Sequence, residues 1–211
     1  LFSGHTGFSF ITLKKGIVMA TVFSYLAYML PFALAPLPFT AFVRWLWVRR
    51  VRRLGRDTQP LHEMGIFFFI AFLGGLLAVT ILPEISLEEG RLVLNWGTGG
   101  GIHLIPFRIF RDSLRLLQKG DAIYGLVNLL GNILIFLPVG LLSSLLWQNA
   151  SFKKALLWGL GLSLFIELSQ LFLPARWTDL DDLWMNTLGA LCGYGVYRLI
   201  PHKVQEKFWI K

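Results

Sequence analysis

Residues 123–146 read IYGLVNLLGNILIFLPVGLLSSLL, a run of 24 residues without a charged side chain. A helix needs about 20 mostly apolar residues to cross the roughly 30 Å hydrocarbon core of a bilayer. Lipid offers no hydrogen bonds to the backbone, so a spanning segment is either a helix or part of a closed barrel of alternating strands. The sequence lacks the alternation of a barrel strand, and the run is therefore predicted as a transmembrane helix.

Four other apolar stretches approach or reach the same length. In chain order the five segments run from Ile17 to Val43, Met64 to Leu82, Ile123 to Leu146, Ala155 to Leu173 and Leu183 to Ile200. Segment one contains three prolines, each of which removes a backbone donor. A secretory signal ending at residues 33–35 is its other interpretation, disfavoured because Pro36 would follow the cut. The predicted fold class is all-α: a polytopic helical membrane protein with about five transmembrane helices.

The composition supports this class and excludes others. Hydrophobic residues make up 55% of the 211 residues and charged residues only 15%, whereas an average soluble chain carries roughly 25% charged residues. A soluble enzyme domain and a disordered chain are therefore excluded. The single cysteine, Cys192, excludes a disulfide framework within the chain.

The basic residues predict the orientation in the membrane. Six arginines fall in the predicted loop between segments one and two: Arg44, Arg49, Arg50, Arg52, Arg53 and Arg56. Basic residues accumulate in short cytoplasmic loops, so the N-terminus is predicted outside and the C-terminus in the cytoplasm. Arginines beside a span are typical of a topology signal, and no nucleic-acid partner is expected despite the +8 net charge.

Polar side chains inside the predicted spans, or at the beginning of segment five, are the candidate site. They are Asn128, Asn132, Glu167, Gln170, Asp179, Asp182 and Asn186. A charge at mid-helix costs roughly 2.5–3.5 kcal/mol, and helical rise places Asn132, Glu167 and Asn186 in the outer half of their spans. This predicts a polar pocket between segments two to five that opens toward the outer leaflet, with Gly189 and Gly193 allowing close helix approach.

Simpler roles exist for some of these residues. Asp179 is suited to cap segment five, whose positive helix end favours an acidic residue. The three asparagines are also typical of hydrogen bonds between membrane helices. Either role is compatible with a pocket.

The loop between segments two and three has two recognisable parts. Residues 91–96 and 102–107 flank a glycine-rich run and are interpreted as either a short hairpin or a flexible loop. From Phe107 to Lys119, Arg108, Arg111 and Arg115 share one helical face opposite the apolar side chains. The pattern predicts an amphipathic interfacial helix. Its arginines either bind the headgroup of a lipid at the pocket or only anchor the helix.

Four blocks carry a resemblance to a known family. They are Asn132 to Gly140, Glu167 to Gln170, Asp179 to Asp182 and Asn186 to Gly189. In this order, with Ile105-Pro106-Phe107 upstream, they resemble the VanZ-like family over residues 64–200; His103 departs from the asparagine that often precedes the proline-phenylalanine pair. The resemblance implies a bacterial cytoplasmic-membrane protein, and the best-known relative confers resistance to the lipoglycopeptide teicoplanin.

The domain organisation follows from this match. Residues 1–63 form an N-terminal extension with the first transmembrane segment and the arginine-rich cytoplasmic loop. Residues 64–201 form the VanZ-like membrane domain, and residues 202–211 a cytoplasmic tail.

Three functions are compatible with these residues. The favoured one is a non-enzymatic protein that binds an amphiphile, either a lipoglycopeptide antibiotic or a lipid-linked cell-wall precursor, and so contributes to teicoplanin-type resistance or cell-envelope homeostasis. The second is an integral-membrane enzyme acting on a lipid-linked substrate with Glu167 and Asp182 as acid and base. The third is a small proton-coupled transporter with Glu167 as relay. Membrane lipids are the expected partners; neither a cofactor nor a metal ion is expected, and the oligomeric state is left open.

Overall fold

The protein is mostly helical. The computed structural model describes residues 23, 27–55, 57–88, 91–95, 98–118, 122–174 and 176–209. In this part the helices are α1 Leu37–Arg53, α2 Pro60–Ile81, α3 Arg108–Gln118, α4 Ala122–Leu146, α5 Phe152–Gln170, α6 Leu180–Leu199 and α7 His202–Gln205, followed by a 3-10 turn at Glu206–Phe208. The strands are β1 Glu84–Glu88, β2 Arg91–Asn95, β3 Gly101–His103 and β4 Trp177–Asp179.

Segments two to five are helices, as the sequence predicts, and so is the amphipathic stretch, which forms α3. Within the described residues, two helices are long and apolar enough to cross a membrane by length and composition. They are Ala27–Arg53, with a mean hydropathy of 1.3, and Pro60–Ile81, with 2.4. Most of segment one before Ala27 lies outside the described residues.

The arginine-rich segment is helical, so its prediction as a loop is wrong. Five of its six arginines lie in α1, and Arg56 lies outside the described residues. Helical residues 27–34 lead through a turn at residues 35–36 into α1, where Pro38 occupies the first turn, a position that tolerates its missing N–H. The helix ends at Arg53 with Leu54 as its C-cap, and the φ of 73° at Gly55 is that of the glycine that follows a helix end.

Of the two interpretations of the glycine-rich run, a short hairpin or a flexible loop, the hairpin is wrong. β2 instead pairs antiparallel with the preceding strand β1, with Glu88 opposite Arg91. β3 pairs in parallel with β4, so that His103 lies opposite Asp179. The partner of β3 is therefore more than 70 residues away in the sequence, and local patterns could not reveal it.

Helix α6 packs against both α4 and α5 and holds the bundle together. A Cβ atom added at Gly189 would overlap the carbonyl oxygen of Ile133, and one at Gly193 would overlap that of Leu137. These glycines therefore let the backbones of α4 and α6 touch, as the sequence predicts.

The apolar core lies between α2, α4 and α5. Its buried members are Leu76, Phe136, Val139 and Ile166. Phe136 of this core also lies beside Gly189, so the core adjoins the contact of α4 with α6. The four described strands lie where α2 and α5 end and where α3 and α6 begin. We call this end of the bundle the strand end.

Candidate functional site

Asp179 is the centre of the polar contacts at the strand end. Its side chain is only 4% exposed, and its Oδ1 accepts a hydrogen bond from the backbone N–H of Asp181 at 3.0 Å, which makes it the N-cap of α6. Its Oδ2 accepts a hydrogen bond from the guanidinium of Arg108. This bond, more than any other contact, raises the pKa of Arg108 above its ordinary value. Asp179 therefore caps one helix and holds a second, α3.

His103 lies on the other side of Asp179. Its Nδ1 is 3.8 Å from Oδ2 of Asp179, and its ring stacks on Trp177 with the ring centroids 4.2 Å apart. Nδ1 is buried without a hydrogen-bond partner among the described residues. The pairing of β3 with β4 thus brings an imidazole beside the carboxylate that Arg108 binds.

Asp181 joins α6 to the beginning of α3. Its carboxylate is completely buried and accepts hydrogen bonds from the backbone N–H groups of Phe107 at 2.6 Å and Ile109 at 2.7 Å. The indole Nε1 of Trp184 donates to the same carboxylate at 3.0 Å. Asp181 therefore satisfies the unpaired N–H groups at the start of α3 from another part of the chain.

Glu167 connects α5 to β4. The side chain is 6% exposed, and its Oε2 accepts a hydrogen bond from the backbone N–H of Asp179 at 2.9 Å. The hydroxyl of Thr178 donates to the backbone carbonyl of Glu167 at 3.4 Å. Glu167 thus holds the backbone of Asp179, the residue that caps α6.

A second chain of contacts crosses from α4 through α6 to α5. The amide of Asn132 donates to the carboxylate of Asp182, and the hydroxyl of Ser163 lies 3.4 Å from the backbone carbonyl of Asp182. Asn186 donates from Nδ2 to the hydroxyl of Ser163 at 3.0 Å, while its buried Oδ1 has no partner among the described residues. Side chains of three helices therefore meet one turn below the cap.

The remaining candidate residues lie apart from these contacts. Gln170 donates to the backbone carbonyl of Thr80 at 3.0 Å and so links α5 to α2. Arg111 and Arg115 are exposed, and Arg115 lies 3.4 Å from Asp112. The side chain of Asn128 lies outside the described part.

The residues that converge are called the polar cluster below. They are Arg108, Asn132, Ser163, Glu167, Asp179, Asp181, Asp182 and Asn186. Asp181 is absent from the candidate residues chosen from the sequence. The sequence signal for Asp181 was the group of three acids at the start of α6, Asp179, Asp181 and Asp182. One acid is enough to cap the helix, so the other two need partners elsewhere.

An apolar groove of about 410 Å³ begins beside the polar cluster. It is lined by Leu160 of α5 and, among others, by Leu180, Leu183, Trp184, Leu188 and Leu191 of α6. Trp184 belongs to both regions, because its ring lines the groove while its Nε1 donates to Asp181. One face of α6 is thus apolar and the opposite face carries Asp182 and Asn186 against α4 and α5.

The described residues contain no group of three or more histidine, cysteine or acidic side chains arranged to hold a metal ion. Among the described residues, the candidate site offers carboxylates, amides, the hydroxyl of Ser163 and the guanidinium of Arg108, with the imidazole of His103 beside them. Such groups can bind a polar headgroup or exchange protons.

Comparison with known proteins identifies relatives over most of the chain. The family model VanZ/LLP1 matches residues 66–201. Protein VanZ of Enterococcus faecium is 30% identical over 133 residues, which cover 63% of this chain and 78% of that protein. No solved structure matches the chain significantly. The matched region contains the whole polar cluster, whereas α1 precedes it.

Proposed function

Because the chain belongs to the VanZ/LLP1 family, we propose that it is a multi-pass protein of the bacterial cytoplasmic membrane that binds an amphiphile at the strand end. The amphiphile is a lipoglycopeptide antibiotic of the teicoplanin type or a lipid-linked envelope component. Binding it contributes to glycopeptide resistance or to cell-envelope homeostasis. In this topology five helices cross the membrane, the strand end faces outward and the C-terminus lies in the cytoplasm.

The observation that carries the proposal is the double contact of Trp184. Its ring lines the apolar groove, and its Nε1 donates to the buried carboxylate of Asp181 at 3.0 Å. The apolar body of an amphiphile would lie against this ring, and its polar end would lie beside the start of α3, which the buried carboxylate of Asp181 holds in place. The groove volume of about 410 Å³ falls within the roughly 300–1,000 Å³ of small-molecule sites.

The beginning of α3 supplies a surface for the polar end of the ligand. The exposed ring of Phe107 lies 5.7 Å from that of Trp184. One turn further along, Arg111 is exposed, and a guanidinium pairs well with carboxylate and phosphate oxygens. Arg108, in contrast, is held by Asp179, so its role is to position α3.

The test fills the groove without touching the polar cluster. Leu188→Trp places a larger side chain in the groove, and Leu134→Trp makes the same change at an exposed position of α4. Cells with equal membrane amounts of each variant are compared for susceptibility to teicoplanin and vancomycin. We expect loss of teicoplanin protection in Leu188→Trp only; full protection in that variant would overturn the proposal.

A third variant separates binding from acid–base chemistry. In Glu167→Gln the amide oxygen still accepts the N–H of Asp179, while the ionisable group is gone. If the protein only binds its ligand, Glu167→Gln should therefore retain protection against teicoplanin. An enzyme or a proton-coupled transporter that uses Glu167 predicts complete loss.

A further inference from the structure

One face of α1 changes from apolar to basic along its length. At about 100° per residue, seven residues fall on this face: Phe39, Phe42, Val43, Leu46, Arg49, Arg50 and Arg53. All seven are exposed in the structure. We call them the outward face, with the first four as its apolar part and the last three as its arginine end.

The orientation of α1 is set by contacts with α2 on the opposite side. Arg44 forms two hydrogen bonds with the carboxylate of Glu63, at 2.7 and 2.6 Å. In the helical stretch before α1, the carbonyl oxygen of Phe32 lies so close to Gly74 that an added Cβ would clash with it. These contacts keep the outward face turned away from α2.

The order of side chains along the outward face matches the order of groups in a phospholipid. The apolar part extends about 10 Å along the helix axis, and the arginine end begins one turn later. At the boundary between the apolar part and the arginine end, the guanidinium of Arg49 lies 3.9 Å from the ring centroid of Trp45. Tryptophan is enriched at the level of lipid headgroups. Basic residues that only fix the orientation of a span need to lie near its end, on any side of the helix. Their position on the outward face is therefore not explained by orientation alone.

The arginine end is also free to bind an anion. Among the described residues, none of its three guanidinium groups forms an ion pair with a carboxylate. Arg44 differs because Glu63 binds it, and Arg52 lies 4.0 Å from Asp57. In the described part of the chain, the donors of the arginine end therefore have no competing acid.

We propose that the arginine end is a binding site for the phosphodiester headgroup of an anionic phospholipid whose acyl chains lie along the apolar part of the outward face. Guanidinium groups form paired hydrogen bonds with phosphate oxygens. A net negative lipid is favoured because three positive charges lie within about one turn of helix. This site precedes the region matched by the VanZ/LLP1 model. It rests on the membrane topology given under the proposed function but is independent of amphiphile binding at the strand end.

The test measures lipid binding by native mass spectrometry. The full chain in detergent is titrated with phosphatidylglycerol and, separately, with phosphatidylethanolamine. The variant carries Arg49→Gln, Arg50→Gln and Arg53→Gln. The matched control carries Lys153→Gln, Lys154→Gln and Lys203→Gln, which remove the same charge at exposed positions outside α1.

We expect the wild type and the lysine control to bind phosphatidylglycerol more tightly than phosphatidylethanolamine, and the arginine variant to bind phosphatidylglycerol at least about tenfold more weakly. Three results would overturn the proposal: unchanged affinity in the arginine variant, an equal loss in the lysine control, or no preference between the two lipids in the wild type.

A charge-conserving variant covers the case in which the arginine variant does not fold. Arg49→Lys, Arg50→Lys and Arg53→Lys together keep the charge but remove the paired geometry of the guanidinium. This variant is expected to bind phosphatidylglycerol measurably more weakly than the wild type. Equal affinity would contradict the site.

Discussion

The carboxylate of Asp181 caps a helix to which it does not belong, since its Oδ2 accepts a hydrogen bond from the backbone N–H of Ile109 at 2.7 Å. A helix usually obtains its N-cap from the residue just before its first turn. Here α6 supplies the cap of α3 across the strand end. The completely buried acid Asp181 therefore positions the amphipathic helix together with the bond between Arg108 and Asp179.

Asp181→Ala is expected to lower the free energy of unfolding by about 3 kcal/mol. The substitution leaves two backbone N–H groups and the indole of Trp184 without an acceptor in a buried place. Thermal unfolding in detergent measures the loss, and limited trypsin digestion should cut faster at Arg111. Asp112→Asn, at a partly exposed ion pair, is the control and should change stability by less than about 0.5 kcal/mol. Equal stability of the two variants would disprove the capping role.

Gly189→Ala is expected to destabilise the protein by about 2 kcal/mol or more, because its Cβ would collide with the carbonyl oxygen of Ile133. Gly195 lies on the same helix with nothing near its added Cβ. Gly195→Ala should therefore stabilise by about 0.5–1 kcal/mol through helix propensity. Chemical unfolding of both variants measures the difference, and destabilisation of similar size in both would refute the close contact of α4 and α6.

The Arg44–Glu63 ion pair is expected to contribute about 1–2 kcal/mol of coupling energy, because the pair is partly buried and bidentate. A double-mutant cycle with Arg44→Gln and Glu63→Gln measures it. The cycle for Arg52 and Asp57, which are both exposed, serves as the reference and should give about zero. A coupling energy near zero for Arg44 and Glu63 would show that other contacts orient α1.

Asn132→Asp is expected to be more harmful than Asn132→Ala, with a loss of about 2 kcal/mol at neutral pH. The substitution replaces the amide donor with a second acid facing Asp182. Acidification should reduce the difference in the free energy of unfolding between Asn132→Asp and the wild type, since a protonated carboxyl at residue 132 can again donate to Asp182. Unfolding measured at two pH values tests this, and a deficit that grows on acidification would argue against the contact.

The helices could be predicted from the sequence, and so could the shared end of the bundle at which the polar residues fall, because both follow from local spacing. Hydrophobic length indicates α4 and α5, and helical rise places Asn132, Glu167 and Asn186 in the same half of the predicted spans. In the structure, Asn132 donates to Asp182 at the start of α6. The small side chains at residues 189 and 193 also indicated where two backbones approach. Each inference needed only neighbours along one helix.

The missed features depend on partners distant in the sequence or on weak local signals. The pairing of His103 with Asp179 joins two strands of three residues, too short for a recognisable pattern. The acceptor role of Asp181 becomes visible only when α3 lies beside α6. The helical state of the arginine segment was missed because its charges resemble a loop, although Gly55 marked the true helix end.

The long-range cap at Asp181 has a consequence for biosynthesis. The amphipathic helix is synthesised 72 residues before the acid that caps its first turn, because Ile109 lies in α3 and Asp181 in α6. Until α6 has been synthesised and lies beside α3, the N–H groups of Phe107 and Ile109 lack this acceptor. A nascent chain that stalls before residue 181 therefore exposes an unfinished surface to the quality-control proteases of the cell.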